Sequence, residues 1–500
     1  MKNTRSLPLL ITLFAINSMI ITPLLAEPVY HPSGAKLTFG GATHRQMTVS
    51  DMGNPAHPAT ESAADDSARH GAGLAIGGGI EYDGNDNLFK LLNSLGSDDA
   101  LVPGDGGIDP VTGLPEDGQD GINIADLIDE IVGPITPEQE AKLEELLAQI
   151  SDEAISLGAF LVIAATDLNA KVFVSADVPV LISNNTLGGA WTFGANTSVT
   201  TNLKGLAEPI EFDADLTRTK LQELVDLTPT DPVTTFDLGN LATLTVDPAT
   251  GETSYLFTNN SAVITRAAQI TEISIGYSRK IWQQKNNDLY IGIKPKYFDV
   301  GLSNTAIPLA NVDDAKSIFD ALDSSNFKHT QDFGIDVGAI WAGKQYQIGA
   351  TVTNLNEPDF RFPAADLSGF TNQAVIDAIR EREIYVMKRQ LKLEGGFITA
   401  DGSWGLNFGL DANPVPDPMR DDYQWASVGA NFASDSWWLP GARVGARKNL
   451  AGSRLLYLTG GVTVFNFVNL DLATTTETIH VDGKTIPRSF IANISMQVRF

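Results

Sequence analysis

Residue types that often perform chemistry are sparse in this sequence. Four of the six histidines, His31, His44, His57 and His70, follow one another at intervals of thirteen residues in the N-terminal part. Imidazoles bind zinc, but the histidines of zinc sites usually lie a few residues apart in sequence. One hypothesis is a metal site shared by these four histidines. The simpler hypothesis is that the four are unrelated, so we assign no metal ligand.

Catalytic motifs are equally scarce. The sequence contains no G-x-S-x-G stretch, and DGKT at Asp482 to Thr485 lacks the first glycine of a phosphate-binding loop because Thr478 stands there. Asp-Gly is instead typical of the tip of a β-hairpin. The absence of cysteine excludes disulfides, thiolate metal sites and a lipid-bearing cysteine. We therefore expect no catalytic residue, no cofactor and no enzymatic activity.

An acidic segment carries the most suggestive oxygen ligands. EDGQDGINIADL, residues 116–127, places Asp117, Asp120, Asn123 and Asp126 like the ligands of a calcium loop, but its spacing departs by about one residue from that of an EF-hand loop. A solvated acidic loop is the alternative, and both stay open. Between Glu81 and Phe160 there are 19 acidic side chains and 2 basic ones. Direct binding of nucleic acid, a polyanion, is not expected there.

The N-terminus indicates export. Lys2 and Arg5 precede an apolar run from Leu7 to Ala26, the pattern of a secretory signal peptide cleaved after Ala26. A retained membrane helix is the alternative, but polar residues and prolines interrupt the run and no cluster of charges follows it. Beyond residue 26 no apolar stretch has the roughly 20 residues that a transmembrane helix needs. The mature protein is thus expected outside the cytoplasm.

The elements that must position any site are β-strands, because apolar and polar residues alternate along most of the chain. In SWGLNFGLD, residues 403–411, Trp404, Leu406, Phe408 and Leu410 share one face opposite small and polar residues. A soluble β-sandwich would also alternate. Export, together with a second face that is rich in glycine, amides and charge, favours an all-β transmembrane barrel with a watery interior. Closing the sheet also leaves no unpaired strand edge in lipid.

The last twelve residues, SFIANISMQVRF, also alternate and end on Phe500. Outer-membrane barrels characteristically finish on such a strand with a terminal aromatic residue, which the barrel insertion machinery recognises. Phe500 is therefore the predicted assembly signal. The predicted location is the outer membrane of a Gram-negative cell, with its lipid and the insertion machinery as partners.

The number of strands can be counted back from this C-terminal strand. If the chain turns at Phe465 and Asn466, the turns NNTLG, WQQKNND, AGK, ADGS, SDSWW and FNF are short and periplasmic. The long loops 83–170, 204–263, 303–329 and 357–387 are then external, as is usual for such barrels. The count then gives fourteen antiparallel strands, near residues 71–82, 171–183, 189–203, 264–280, 289–302, 330–341, 345–356, 388–400, 403–412, 422–434, 439–448, 453–464, 467–475 and 488–500.

This count also divides the chain into regions. Residues 1–26 are the signal peptide, residues 27–70 are an N-terminal segment that has room only in the lumen or the periplasm, and residues 71–500 form the barrel. An acidic external insert spans residues 83–170, and further long loops, some with helical segments, lie at the same external end. The segment 27–70 is a candidate plug of the lumen.

Several short motifs resemble a known family. GGATHR at residues 40–45, GNPA at Gly53 to Ala56, and VTNLNEPDF at Val352 to Phe360 resemble the outer-membrane group named conjugal transfer protein TraF, and less closely the FadL-like transporters of hydrophobic compounds. A thioredoxin-like protein of the same name is a different class, and active members need a Cys-x-x-Cys pair that is missing here. The resemblance implies a fourteen-stranded barrel, passage of hydrophobic solutes, and a possible conjugation apparatus as partner.

Side-chain direction on the predicted strands identifies candidate lumen residues. If the isoleucines and leucines of each strand face lipid, the charged residues between them face inward: Lys294, Lys296, Lys392, Glu394, Arg443, Arg447 and Arg499. A basic lumen would favour anions or amphiphiles with a carboxylate head. The alternative is that Asp332, Asp336 and Glu394 pair with these cations and close the pore.

The predicted function is therefore that of an outer-membrane channel or transporter for small hydrophobic or anionic amphiphilic solutes. The alternative is a structural component of the outer membrane that is associated with plasmid conjugation and does not transport.

Overall fold

A computed structural model describes sixteen parts of the chain. They are residues 36–39, 53–64, 70–83, 108–109, 114–115, 169–182, 188–208, 219, 223, 230–237, 242–250, 253–308, 326–380, 383–433, 440–481 and 484–499. The signal peptide, the calcium-loop candidate at residues 116–127, and Phe500 lie outside these parts. None of the helices in these parts is long and apolar enough to cross a membrane.

Fourteen antiparallel strands form one closed barrel, as the alternation predicts. Each strand pairs with its neighbours in sequence, and the last strand pairs with the first through a register that sets Gly71 opposite Arg499 and Glu81 opposite Ser489. We number them β1 His70–Asp83, β2 Asn169–Ile182, β3 Gly189–Leu206, β4 Ala262–Gln284, β5 Asn287–Pro308, β6 Lys328–Ala342, β7 Tyr346–Thr353, β8 Gln390–Ile398, β9 Trp404–Asp411, β10 Trp425–Phe432, β11 Gly441–Asn449, β12 Leu456–Val464, β13 Val468–Thr475 and β14 Ser489–Arg499.

The turn between β12 and β13 confirms the predicted change of direction. Phe465 and Asn466 have φ angles of 55° and 60°. Two successive residues in this left-handed region are the signature of the tight hairpin turn whose twist matches that of the flanking strands. Six connections, all of them short, consequently lie at one end of the barrel, the short-turn end, together with the start of β1 and the end of β14. All the long loops lie at the other end, the long-loop end, with the short β11–β12 connection, residues 450–455.

The outward face of the barrel is apolar, as predicted. Trp404, Leu406, Phe408 and Leu410 are each at least 40% exposed, whereas Asn407 between them is fully buried. Near the short-turn end the outward face carries pairs of aromatic rings. The rings of Trp282 and Trp341 are stacked and those of Trp404 and Phe432 are tilted, with centroids 5.1 Å apart in both pairs. An apolar band that ends in aromatic residues is the surface that a barrel presents to a bilayer.

Two strands extend well beyond the bilayer. β4 and β5 have 23 and 22 residues, about twice the roughly 10 that a tilted spanning strand needs. The long-loop ends of both strands are covered by helix α3, Gln373–Arg380, whose buried Val375 and Ile379 lie one turn apart. The side chain of Asn372 caps this helix, since its Oδ1 accepts a hydrogen bond from Ala374 N at 2.8 Å.

The remaining short elements also lie in the long loops. They are five small antiparallel sheets, formed by Ile108–Asp109 with Leu114–Pro115; by Thr234–Asp237, Ala242–Val246 and Thr253–Phe257; by Asp359–Arg361 with Ile384–Val386; by Val415–Pro416 with Asp422–Tyr423; and by Thr478–Val481 with Lys484–Pro487. In the last of these Val481 pairs with Lys484 and His480 with Thr485, so Lys484 and Thr485 of the DGKT stretch lie on the second strand of a hairpin.

Two short helices precede β1 in sequence. They are α1, Lys36–Phe39, and α2, His57–Ala64. We call residues 36–39 and 53–64 the plug, because their described side chains are buried against the inner face of the barrel.

The two ends of the barrel can be distinguished by labelling. We expect an epitope tag at Asp109 or Asp366 to bind antibody on intact cells, because both positions lie in long loops, and a tag at Asp401, in the β8–β9 turn, to bind only after permeabilisation. Immunofluorescence before and after permeabilisation measures this. The opposite pattern would show that the long-loop end faces the periplasm.

Candidate functional site: the lumen and its two closures

Five of the seven predicted lumen residues lie on the inner face and have low solvent exposure. Lys296, Glu394, Arg443 and Arg447 are buried, and the side chain of Lys294 is 15% exposed. Lys392 is half-buried and stands opposite Asp411 in the β8–β9 register. The side chain of Arg499 lies outside the described parts, although its backbone pairs with Gly71.

The lysines of β5 pair with carboxylates of the neighbouring strands, both with Asp336 of β6 and Lys296 also with Glu272 of β4, whose Oε2 lies 3.9 Å from Lys296 Nζ. Lys296 Nζ lies 2.8 Å from Asp336 Oδ1, and Lys294 Nζ lies 3.4 Å from Asp336 Oδ2. Lys296 also donates a hydrogen bond to Asn354 Oδ1 at 2.7 Å. These contacts agree with the alternative in which carboxylates pair with the inward cations. Asp332 does not take that role, since its Oδ1 accepts a hydrogen bond from the neighbouring Phe333 N.

Arg443 is neutralised in the same way from β13. Its Nε and Nη2 donate to Asp471 Oδ1 and Oδ2 at 2.8 and 2.6 Å, and its Nη1 donates to Thr463 Oγ1 at 2.6 Å. This is a bidentate guanidinium–carboxylate pair, the strongest common type of ion pair. Asp471 is fully buried, so the pair stands within the filled lumen.

The GNPA stretch begins the main part of the plug and contacts three strands. Asn54 Nδ2 donates to Glu394 Oε1 at 2.6 Å and to the backbone oxygens of Ala339 and Ala350 at 3.3 and 3.4 Å. Its Oδ1 accepts from Ala56 N at 2.9 Å, which fixes the turn that leads into α2. Glu394, a predicted lumen residue, thus binds the plug.

The wall beneath this turn is glycine because side chains would not fit. A Cβ atom at Gly338 would lie 2.1 Å from Asn54 Oδ1, and one at Gly292 would lie 2.0 Å from Pro55 O. Distances this short require one of the two groups to move. The glycines of β5 and β6 therefore form a seat for the plug.

Gly338→Ala is accordingly expected to loosen the plug. The chain has no cysteine, so a single cysteine at buried Ala59 reports on access to α2. We expect Gly338→Ala to raise the labelling rate of Ala59→Cys by a charged maleimide by about tenfold or more, because a clash of this size costs about 1–3 kcal/mol.

Gly460→Ala is the matched control. A Cβ there has only Arg443 O within 4 Å, at 3.9 Å, so the substitution introduces alanine into a strand without a clash. If both alanine variants change the labelling rate equally, the seat does not hold the plug.

The first helix of the plug reaches the opposite side of the lumen. Thr38 Oγ1 donates to Asp471 Oδ1 at 3.0 Å, and Lys36 Nζ lies 4.0 Å from Asp177 Oδ2 on β2. Leu37 is fully buried in a cluster with Phe173, Leu455, Tyr457, Ala473 and Ile491. The plug therefore contacts walls on both sides of the barrel.

A second closure lies at the long-loop end. Residues 412–424, which connect β9 to β10 and which we call the lid, reach across to β2, half-way around the barrel. Lys171 Nζ of β2 lies 2.7 Å from Asp417 Oδ2 and 2.8 Å from Tyr423 OH, and it also pairs with Asp421. Lys171 is 2% exposed. One buried ammonium group thus binds three side chains of the lid.

The protonation state of Asp417 depends on whether the lid is closed or open. Burial raises the pKa of Asp417 to about 6; the Lys171 ammonium acts in the opposite direction, and nearby Asp421 reinforces the effect of burial. An exposed aspartate titrates near 4. The closed lid therefore holds a proton between about pH 4 and pH 6 that an open lid releases, so lowering the pH through this window favours the closed lid.

In Gly338→Ala barrels, whose plug is loosened, we expect the single-channel conductance in planar bilayers to rise several-fold from about pH 5 to about pH 8 as the lid opens. In Asp417→Asn this rise should disappear, because the amide does not titrate. Lys171, Asp421, Glu81 and Tyr423 surround the same position, and a pH response that persists in Asp417→Asn would assign the titration to one of them. A conductance that falls with rising pH would contradict the linkage.

Between the lid and the charged middle of the lumen the inner wall becomes apolar. Toward the long-loop end, the inward-facing residues of β4 change from Glu272 to Ile270 and Ala268. Those of β5 change in the same direction from Lys296 to Phe298. These side chains form one buried cluster with residues of the long loops: Ala268, Ile270, Phe298, Val300, Leu302, Phe360, Phe362, Tyr385, Met387 and Met419. The strand pattern predicts the inward direction of these residues, but not their contacts with the loops.

Two of the four evenly spaced histidines, His57 and His70, lie in the described parts. Among the described residues no three histidine, aspartate or glutamate side chains are placed to hold a metal ion. His57 lies in α2 with its Nε2 3.5 Å from Glu61 Oε1, and His70 begins β1. His31 and His44 lie outside the described parts.

Fold and lumen together define a class. The molecule is a closed fourteen-stranded barrel of the outer-membrane type, with an apolar outer surface, a plug and a lid. Residues 51–411 match the family model described as "F plasmid transfer operon, TraF, protein". The chain belongs to this family, and the resemblance seen in the sequence is confirmed.

Solved structures with similar folds are distant. They include the TodX deltaS2S3 mutant monoaromatic hydrocarbon channel, with 9% identity over 89% of this chain and 92% of that one at a TM-score of 0.38. A mutant of Rh. blastica porin has 9% identity over 66% and 92% at 0.23, and CdiB from Acinetobacter baumannii has 9% over 66% and 52% at 0.27. These likenesses concern the fold alone. No curated protein sequence matches the chain.

Proposed function

We propose that the protein is a gated outer-membrane channel for small hydrophobic or anionic amphiphilic solutes, which enter at the long-loop end. The observation that carries this proposal is the apolar inner wall beneath the lid. A pore for ions or sugars is lined by polar groups, whereas here Ile270, Phe298 and Val300 face inward. Such a wall costs free energy when it faces water and is favourable when an apolar solute covers it.

In this proposal the plug and the lid are the two gates. The lid covers the apolar wall, since Met419 belongs to the same cluster, and the plug fills the lumen nearer the short-turn end. Both gates are held by polar contacts to the wall. The lid binds Lys171 through three side chains, and the plug binds Glu394 through Asn54 and Asp471 through Thr38. A solute passes after both have moved.

The proposal is tested by flux into proteoliposomes. The tracer is a medium-chain alkanoate, compared with a sugar of similar size, and the variant is Ile270→Arg, which places a charge on the apolar wall. We expect the wild type to pass the alkanoate in preference to the sugar and the variant to lose that preference. Equal passage of both tracers, or no passage of either even after Gly338→Ala loosens the plug, would refute a channel for apolar solutes.

A structural role in plasmid transfer is the second candidate. It is supported by the pairing of Lys294, Lys296 and Arg443 with carboxylates, which leaves the lumen filled and largely neutral, and by the description of the family. The two functions separate in a plasmid-bearing strain whose own copy is replaced by Ile270→Arg. Plasmid transfer at the wild-type frequency, together with loss of the preference for the alkanoate, would favour the structural role.

A further inference from the structure

Arg447 differs from the inward cations Lys294, Lys296 and Arg443, each of which pairs with a carboxylate. It lies on β11 four residues after Arg443, on the same inner face, and only 4% of it is exposed. Its Nε and Nη1 are buried and have no hydrogen-bond acceptor among the described residues, whereas Arg443 has an acceptor for each nitrogen. Burying guanidinium donors without acceptors is costly, so the arrangement indicates an acceptor that comes from outside the chain.

The surroundings of Arg447 are aromatic and apolar. Its Cζ lies 3.8 Å from the centroid of the Trp425 ring, so the two groups are stacked. Trp425 also contacts Tyr423 and Tyr457, with ring centroids 5.8 Å apart in both cases. It packs against the cluster that contains Leu37 of the plug. Stacking leaves the edge of the guanidinium, which carries the donors, as the part that binds a partner.

The neighbouring carboxylate is already engaged. Asp411 Oδ2 accepts hydrogen bonds from Trp425 N at 2.9 Å and from Gln390 Nε2 at 3.2 Å. Asp411 therefore holds Trp425 beneath Arg447. Its negative charge partly offsets the positive charge of Arg447, but no hydrogen bond joins Asp411 to Arg447. A singly charged anion fits beside Arg447 and Asp411 better than a doubly charged anion does, because Asp411 already carries a negative charge.

We propose that Arg447 is the head-group site for an amphiphilic carboxylate, with the carboxylate on Nε and Nη1 and the apolar chain on the aromatic and aliphatic side chains around Trp425. A carboxylate matches two adjacent guanidinium donors in one plane. The ligand reaches this site from the long-loop end, because Trp425 follows directly after the lid. This inference rests on the proposed function and adds to it the residue that selects the charged head.

The test is binding of decanoate, decanol and decylammonium to the full chain in lipid nanodiscs by isothermal titration calorimetry. It is done on the wild type and on Lys171→Met, in which the lid is released. We expect decanoate to bind about tenfold or more tightly than decanol, since hydrogen bonds to charged groups are strong. Arg447→Gln should abolish this difference and leave decanol binding unchanged. Arg389→Gln is the control: Arg389 pairs with Glu357 in a long loop, and its side chain is 63% exposed.

The outcomes separate this inference from the proposed function. If decanol binds as tightly as decanoate, or Arg447→Gln keeps the preference, the head-group site is wrong while a channel for apolar solutes survives. If none of the three ligands binds to either protein, both are wrong. If inorganic phosphate competes with decanoate as well as unlabelled decanoate does, the site takes anions in general and the amphiphile assignment is overturned.

Discussion

Lys171→Met is expected to release the lid, one of the two closures of the lumen. The substitution removes the ammonium that Asp417, Asp421 and Tyr423 share. Leaving a buried carboxylate without its cation costs about 3–5 kcal/mol. The lid avoids most of this cost by moving outward, where water solvates Asp417 and Asp421, so the free energy changes the lid equilibrium more than the stability of the barrel.

Two measurements check this expectation. The single-channel conductance of Lys171→Met in planar bilayers should exceed that of the wild type several-fold once the plug is loosened by Gly338→Ala. Independently, a cysteine at Met419, which is 2% exposed, should react with a charged maleimide about a hundredfold faster in Lys171→Met, because each 1.4 kcal/mol changes an equilibrium constant tenfold.

A compensating variant separates the loss of the ion pair from general damage. Lys171→Met combined with Asp417→Leu and Asp421→Asn removes the buried charges from both sides, and apolar replacement of a buried pair is often close to neutral. The triple variant should therefore close again and label slowly. If Met419→Cys reacts at the wild-type rate in Lys171→Met, another contact holds the lid.

The strands of this barrel are predictable because their signal is local. Alternation of period two gives the face of each residue, and the even count and the short turns give the direction of each strand. Lys294 and Asp336 were assigned inward from this pattern, and they are direct cross-strand partners in the β5–β6 register. Knowledge of the register, rather than of the face alone, would have predicted their ion pair.

The lid is not predictable from the sequence in the same way. Residues 412–424 form a short polar connection with three prolines and three aspartates, which alone indicates a solvated loop. Its anchor, Lys171, precedes Asp417 by 246 positions and lies on a strand half-way around the barrel. Nothing in either segment specifies the other, because the contact exists only when the barrel is closed. The same holds for Asn54 and its glycine seat.

The second large effect is expected at Arg443 and Asp471, where an ion pair is buried inside the lumen wall. Arg443→Met leaves the fully buried Asp471 with Thr38 Oγ1 as its remaining described partner and without a cation. We expect the free energy of unfolding to fall by about 3–5 kcal/mol, measured by urea unfolding in lipid vesicles with tryptophan fluorescence. The plug should loosen as well, because Asp471 binds both Arg443 and α1.

The buried Arg443–Asp471 pair and the exposed Arg389–Glu357 pair are expected to contribute very differently to the free energy of unfolding. Arg389→Met breaks the pair with Glu357 at the surface, where the loss is typically below about 1 kcal/mol. Arg443→Met combined with Asp471→Leu should recover most of the lost stability, since no charge then remains buried, and the double-mutant cycle gives the coupling directly. If Arg443→Met costs no more than Arg389→Met, water reaches Asp471 and the lumen is open at that level. If the double variant is as unstable as the single one, the loss comes from packing and from the plug contact of Thr38, and the ion pair is not what stabilises this part of the wall.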